Sequence, residues 1–294
     1  MKRGQAEILC YDELWKTVIE KLFREFLCLF LPELGEMVAF TRGYDFLDKE
    51  LQRISLRMRR GKKFVDKLVK VYLKDGKEKW ILLHIEVQGQ NRVDFNERMF
   101  VYFYRILDKY SVKIASIAVI TYPTNSTFEY RYEFFNTRVL YQYNVAKIED
   151  MKEDGLLKIN NPFALVCLAV KYSNLSQNDK DLRYNFKRNL IRLMYERKYK
   201  RDEIITLFEF IDGILELNNK ELDIKIREEI EQIEEGGKMS YVTSIERIGR
   251  EEGIKEGIKE AALKLIKKGM DMKEVGKLLD IPLEKIKEWI KAVP

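Results

Sequence analysis

One histidine, His84, serves the whole chain of 294 residues. A Cys–His zinc site is thereby not expected, and any histidine acting as a general base has to be His84 itself. Cysteine is nearly as scarce. Cys10, Cys28 and Cys167 lie far apart with no metal-type spacing, so they read as free thiols packed in a reducing compartment. Long apolar runs are missing too. The best stretch, "CLFLPELGEMVAF", is broken by Pro32, Glu33 and Glu36, well short of the roughly 20 residues that span a bilayer. No charged segment leads directly into an apolar leader and a small-residue cleavage site. The expectation is a soluble cytoplasmic protein with no membrane partner.

A large excess of one charge is also absent: 54 basic side chains face 48 acidic ones, a net +6. Such a balance permits nucleic-acid binding without demanding it, so the distribution of charge decides. What is present is 46% apolar residues, enough for a real core, and 35% charged residues for a solvated surface.

Helical spacing of Leu14, Trp15, Val18, Leu22, Phe23 and Phe26 predicts a helix over 12–31, with Asp12 as N-cap and Pro32 as its end. "LQRISLRMRR" reads as a first strand. "KFVDKLVKVYL" and "KWILLHIEVQ" read as two more, joined at Asp75-Gly76, a hairpin signal. "DFNERMFVYFYRILDKY" is helical in period, and "KIASIAVITY" is a buried strand. Further strands fall around Tyr130 and Tyr141. From about residue 160 the pattern turns helical, through "NPFALVCLAVKYS", "DKDLRYNFKRNLIRLMYERKY" and "RDEIITLFEFIDGILEL". The eight carboxylates of 216–235 suit a solvated helix. In the tail, Gly249, Gly253 and Gly257 recur every fourth residue, and "MDMKEVGKLLDIPLEKIKEWI" is helix, turn, helix. It fits either a small DNA-binding helix-turn-helix or a helical hairpin for self-association. Three regions result: 1–155, 156–238 packed on it, and a tail at 239–294.

Alternation puts His84, Glu86 and Gln88 on one face of their strand, and Asp66, Leu68 and Lys70 on one face of its neighbour. Counting back from Asp75-Gly76 sets residues 65–66 about opposite 85–86. Two carboxylates that close resist joint ionisation unless a cation joins them. A divalent ion with oxygen ligands and spare water positions, Mg²⁺, fits that need. It would bring phosphodiester chemistry with it; Gln88 would orient water or bond a phosphate oxygen. The competing reading makes Asp66 and Glu86 surface charges paired with Lys67 or Lys70.

Residues 57–70 hold Arg57, Arg59, Arg60, Lys62, Lys63, Lys67 and Lys70 against one acid, Asp66, which suits a polyanionic partner and equally a plain solvated loop. On the next helix Arg98, Tyr102 and Arg105 share a face, either a grip for phosphate or an ordinary surface row. His84 reads as a packed, hydrogen-bonded residue.

The ordered set of Asp66, nineteen intervening residues and Glu86-Val87-Gln88, within helix–strand–strand–strand–helix–strand, resembles the PD-(D/E)XK nuclease core. More closely, "FLDKEL", "VDKLVKVYLKDGKEKWILLHIEVQGQ", "ERMFVYFYRILDKY", "NPFA" and "YVTSIERIGREEG" are similar to the recombination-promoting nuclease family, the transposase-31 or YhgA-like group. The resemblance implies an α/β fold: a restriction-endonuclease-like core (α-β-β-β-α-β, a mixed sheet flanked by helices) followed by a helical C-terminal region. It implies a Mg²⁺-dependent DNA endonuclease, Mn²⁺ substituting, that acts in recombination or transposition. Asp66, Glu86 and the Val87 carbonyl would hold the metal, with Gln88 where the superfamily usually has lysine. Lys67 or Lys70 would replace that charge, and Glu20 or Glu25 would supply a first-helix acid. The DNA contacts expected are Lys63, Lys67, Lys70, Arg98, Tyr102 and Arg105. The rival expectation is an adaptor whose nuclease core is inactive, with residues 239–294 forming a homodimer contact.

Overall fold

The central strands are short apolar runs, and the fold is built around them. β3 (Ile81–Gln88) is buried along its whole length. Its parallel neighbour β4 (Ile114–Ile120) is buried over its last five residues, as expected for strands covered on both faces. β2 (Val65–Val71) pairs antiparallel with the other edge of β3, from Val65 opposite Val87 to Val71 opposite Ile81. Two short strands close the edges. β1 (Tyr44–Phe46) lies antiparallel to β2, and β7 (Asn144–Lys147) lies parallel to β4. The result is a mixed five-stranded sheet in the order β1-β2-β3-β4-β7. β5 (Glu129–Phe134) and β6 (Thr137–Gln142) form a separate two-stranded hairpin.

This computed structural model describes residues 3–55, 65–75, 81–91, 93–237, 241–242, 259–279, 281–282, 285–286 and 289–290, with side chains left out at 3–10, 52–55, 65–66 and 277. The chain divides into two compact units, Met1–Ile226 and Arg227–Pro294.

Helices cover both sheet faces of the first unit. α1 (Arg3–Lys21) lies over β2 on one face, where the Nζ of Lys67 reaches Glu20. Trp15, Val18, Ile19 and Leu22 are buried there. α5 (Phe95–Tyr110) covers the other face, its Tyr102 ring 5.1 Å from the His84 ring. Tyr102 and Ile106 share a core cluster with Leu51, Leu68 and Leu82.

The N-terminal helix differs from expectation. Asp12 is buried inside α1 instead of capping it, and the helix breaks at Leu22 before α2 (Phe23–Phe30) resumes. Pro32 opens the next helix, α3 (Pro32–Met37), because a missing N–H costs nothing at a first helical position. The first strand is also displaced. It is β1, while residues at the start of "LQRISLRMRR" belong to α4 (Asp48–Ser55). Asp48 and Glu50 sit in that helix's first turn, where acids are favoured, and Leu51 drops into the core. Residues 56–60, the remainder of that predicted strand, fall outside the described residues.

After α6 (Glu153–Lys158) comes α7 (Pro162–Leu175), buried continuously from Pro162 to Val170. Asn161 caps it by accepting from the Phe163 N–H, and its amide donates to the Glu25 carbonyl of α2. α8 (Lys180–Glu196) and α9 (Arg201–Ile214) pack against α7. Each fully buried Leu, Ile or Phe in such a layer contributes about 1.5–3 kcal/mol.

α10 (Lys220–Gly236) is the acidic helix. Glu228 and Glu235 are exposed, but Glu234 is buried and accepts from the Tyr241 and Val242 N–H groups. Downstream, helical residues 259–267 and α11 (Met272–Leu279) share a small core of Ala262, Val275 and Ile286. A Cβ on Gly276 would sit 2.9 Å from the Ile281 carbonyl, so glycine lets the chain turn back tightly over α11. The tail glycines at 249, 253 and 257 lie outside the described residues. No helix among the described residues is long and apolar enough to cross a membrane.

Candidate functional site

The β2–β3 ladder sets Asp66 directly opposite Glu86, and Leu68 opposite His84. Directly opposed residues share a face, so positions 66, 84, 86 and 88 lie on the side of the sheet covered by α5. Glu86, His84 and Gln88 are all completely buried.

One cation organises this face. Arg98, in the first turn of α5, donates to Glu86 Oε1 from Nε at 3.0 Å and from Nη2 at 2.5 Å. Nη2 also donates to the side-chain oxygen of Gln88 at 3.2 Å. Gln88 in turn donates from Nε2 to the Gln90 carbonyl at 2.5 Å. The amide is therefore oriented at both ends, its oxygen toward Arg98 and its nitrogen toward the loop after β3.

Glu86 Oε2 has no hydrogen-bond partner among the described residues. Its neighbour is His84 Nε2 at 3.6 Å, too long for a hydrogen bond. Both His84 ring nitrogens are likewise without a hydrogen bond there. The expectation of a packed histidine holds through Tyr102; the expectation of a hydrogen-bonded one does not. Burial works against ionisation of Glu86, but His84 and the Arg98 guanidinium outweigh it, and the carboxyl is held below its ordinary range. Glu86 is thus a buried carboxyl biased toward its ionised form, with Oε1 gripped by Arg98 and Oε2 facing His84 without a hydrogen bond among the described residues.

Lys67 lies elsewhere. It pairs with Ile85 in the ladder, one residue out of phase with Glu86, and so projects to the α1 face. It is buried, ion-paired with Glu20 and with Asp48 Oδ2 at 2.5 Å, and its ammonium sits 5.3 Å from the Phe46 ring. The structure therefore takes Lys67 away from both roles expected of it, phosphate contact and charge beside Gln88. Glu20, engaged with Lys67, stands on the same α1 face. Glu25, in α2, raises the Tyr44 hydroxyl pKa by its charge, second to burial.

A measurable consequence follows. In Lys67→Met, Glu20 and Asp48 keep partial access to water, so the thermal midpoint should fall by the equivalent of about 1–2 kcal/mol. Any activity housed on the α5 face should persist within about threefold per folded molecule, as for independent sites. A complete loss of activity in a folded variant would show that the two faces act together.

The other predicted contacts divide. Tyr102 is buried against His84 and unavailable to DNA in this arrangement. Arg98 grips Glu86 instead of lying open on the helix surface. Lys70 and Arg105 are half-buried, with the Lys70 ammonium 5.2 Å from the Tyr72 ring. Lys63 and the basic run before it lie outside the described residues. Among the described side chains no group of three His, Cys, Asp or Glu is gathered as a metal cage; Asp66 enters through its backbone register.

Sequence reasoning placed Arg98 on the right helix and missed its partner. The signal available was positional: after a parallel strand, the crossover helix begins above the C-terminal end of that strand, where Glu86 and Gln88 are. Comparison with known proteins finds no matching family model, no matching curated protein and no matching solved structure.

Proposed function

We propose that the protein is a divalent-metal-dependent DNA endonuclease with a restriction-endonuclease-like core, related to the recombination-promoting nucleases and acting in DNA recombination or transposition. The observation that carries this reading is the direct opposition of Asp66 and Glu86, with Glu86 Oε2 lacking a hydrogen-bond partner among the described residues. An ionised, buried oxygen beside a second acidic position fits a hard divalent cation.

Asp66, Glu86 Oε2 and the Val87 carbonyl would hold Mg²⁺, or Mn²⁺ in its place. The Gln88 carbonyl accepts from the Thr121 N–H of the chain leaving β4. Successive strand carbonyls point to opposite edges, so that of Val87 points toward the start of β2, where Asp66 lies. When bound, the ion polarises a phosphodiester and lowers the pKa of its water.

The protein's own groups do the rest. Arg98 keeps Glu86 ionised and fixed through Oε1, supplying from α5 the positive charge that lysine gives in related nucleases. Gln88, with its oxygen committed to Arg98 and one N–H to the Gln90 carbonyl, has its second amide N–H to offer a phosphate oxygen or a water lone pair. Lys70, Arg105 and the basic run at 57–63 supply phosphate contacts, which position DNA without reading its sequence.

Supercoiled plasmid with Mg²⁺ or Mn²⁺ is the test. Nicking that chelation abolishes is expected; cleavage indifferent to chelator, or none with either ion, refutes the proposal. The adaptor reading draws on the complete burial of Glu86 and Gln88. It predicts salt-sensitive DNA binding with no calorimetric Mn²⁺ signal.

A further inference from the structure

The β5–β6 hairpin displays apolar side chains that nothing in the described fold covers. Phe134 is 71% exposed and Phe135 87%, with Tyr132 exposed beside Phe134 and Leu140 exposed on the opposite face of the ribbon. At its base the same ribbon packs on α5, through Tyr130 stacked on Phe100 and Tyr141 stacked on Phe103. The aromatic row Tyr130, Tyr132, Phe134 then runs beyond that contact along one face of β5. At the tip Phe135 adopts φ +53°, a left-handed conformation that disfavours a bulky residue and suits glycine or asparagine. A strained and almost fully exposed phenylalanine is costly in a lone molecule, which points to a partner that covers it.

Charge selects the partner. The hairpin carries Glu129, Arg131, Glu133 and Arg138, paired as Arg131–Glu129 and Arg138–Glu133, so it is neutral and gives a polyanion little to bind. Among the described residues β5 forms a ladder with β6 alone, and alternate N–H and C=O groups of β5 point away from β6.

We propose that two copies of this chain pair through β5, antiparallel, about a two-fold axis at Tyr132. That register sets Arg131 of each chain beside Glu133 of the other, and Phe134 beside Tyr130. Moving the axis to Arg131 would oppose Arg131 to itself and Glu129 to Glu133, and moving it to Glu133 would oppose Glu133 to itself. Like charges directly opposite are destabilising. The Tyr132 axis avoids them, and an isologous contact requires such self-complementarity.

Sedimentation of the full chain, checked for folding by circular dichroism, tests this independently of any nuclease activity. Wild type should be dimeric at about 10 µM, and Arg131→Glu should weaken the dimer at least about tenfold. The swap Arg131→Glu/Glu133→Arg should restore it to within about threefold. A wild-type monomer at about 100 µM, a dimer insensitive to Arg131→Glu, or a swap that fails to rescue would each overturn the proposal.

Discussion

Replacing Glu86 with glutamine should lower metal-dependent plasmid nicking at least about a thousandfold, a loss of about 4 kcal/mol of transition-state stabilisation. The amide matches the carboxylate in size but carries no charge and offers the ion a single oxygen. Asp66→Asn should have an effect of the same order, because in the proposed site each variant removes one of the two charges that would hold the ion. The double variant should be little worse than either single, as groups acting as a unit are strongly non-additive. Thermal midpoints must be compared, since Glu86→Gln also deprives Arg98 of its partner. Equal nicking by folded wild type and variants would remove both residues from the chemistry.

Arg98→Met should have the largest effect on stability. Glu86 is wholly buried and Arg98 is the cation hydrogen-bonded to it. Breaking a buried pair from one side leaves an uncompensated charge, at a cost of about 3–5 kcal/mol. The pH dependence has a definite sign. In wild type the Glu86 carboxyl titrates below its ordinary value. Its stabilising contribution is thus complete above about pH 4.3, the unfolded value, and is lost as pH falls through the depressed one. Without the guanidinium only the His84 contribution opposes burial, so the folded value moves up from its wild-type position. The variant therefore gains less stability than wild type as pH rises out of the acid range, and its deficit narrows toward pH 4. Urea melts at mildly acid and neutral pH measure the difference. A deficit that stays constant would mean that Arg98 stabilises the fold by packing on Phe95, whose ring lies 5.4 Å from the guanidinium. Arg98→Lys keeps the charge but loses the fork that spans Glu86 and Gln88, and should retain most of the stability with a reduced turnover number.

Local chemistry made much of the sheet legible. The count back from Asp75-Gly76 set residues 65–66 about opposite 85–86, and the ladder puts Asp66 opposite Glu86; the turn residues from Gly76 to Trp80 lie outside the described residues. Helix α5 and strand β4 followed from their periods. β1 and α4 did not, because a three-residue edge strand carries almost no pattern and α4 owes its place to Leu51 in the core. β7, four residues long, escaped for the same reason as β1. The side taken by Lys67 was implicit in its odd spacing from Asp66, but its partners Glu20 and Asp48 come from α1 and α4, whose placement on the sheet is tertiary. The Arg98–Glu86 grip was hidden in the same way. Residue types and spacing mark a carboxylate as useful; packing decides which cation holds it.

The measurement that bears most directly on the site is anomalous diffraction from crystals soaked in Mn²⁺. An ion bound between the Asp66 carboxylate and Glu86 Oε2, with Arg98 still on Oε1, is the predicted result. Crystals with no ion at that position, or with Asp66 and Glu86 turned away from each other around no cation, would contradict it.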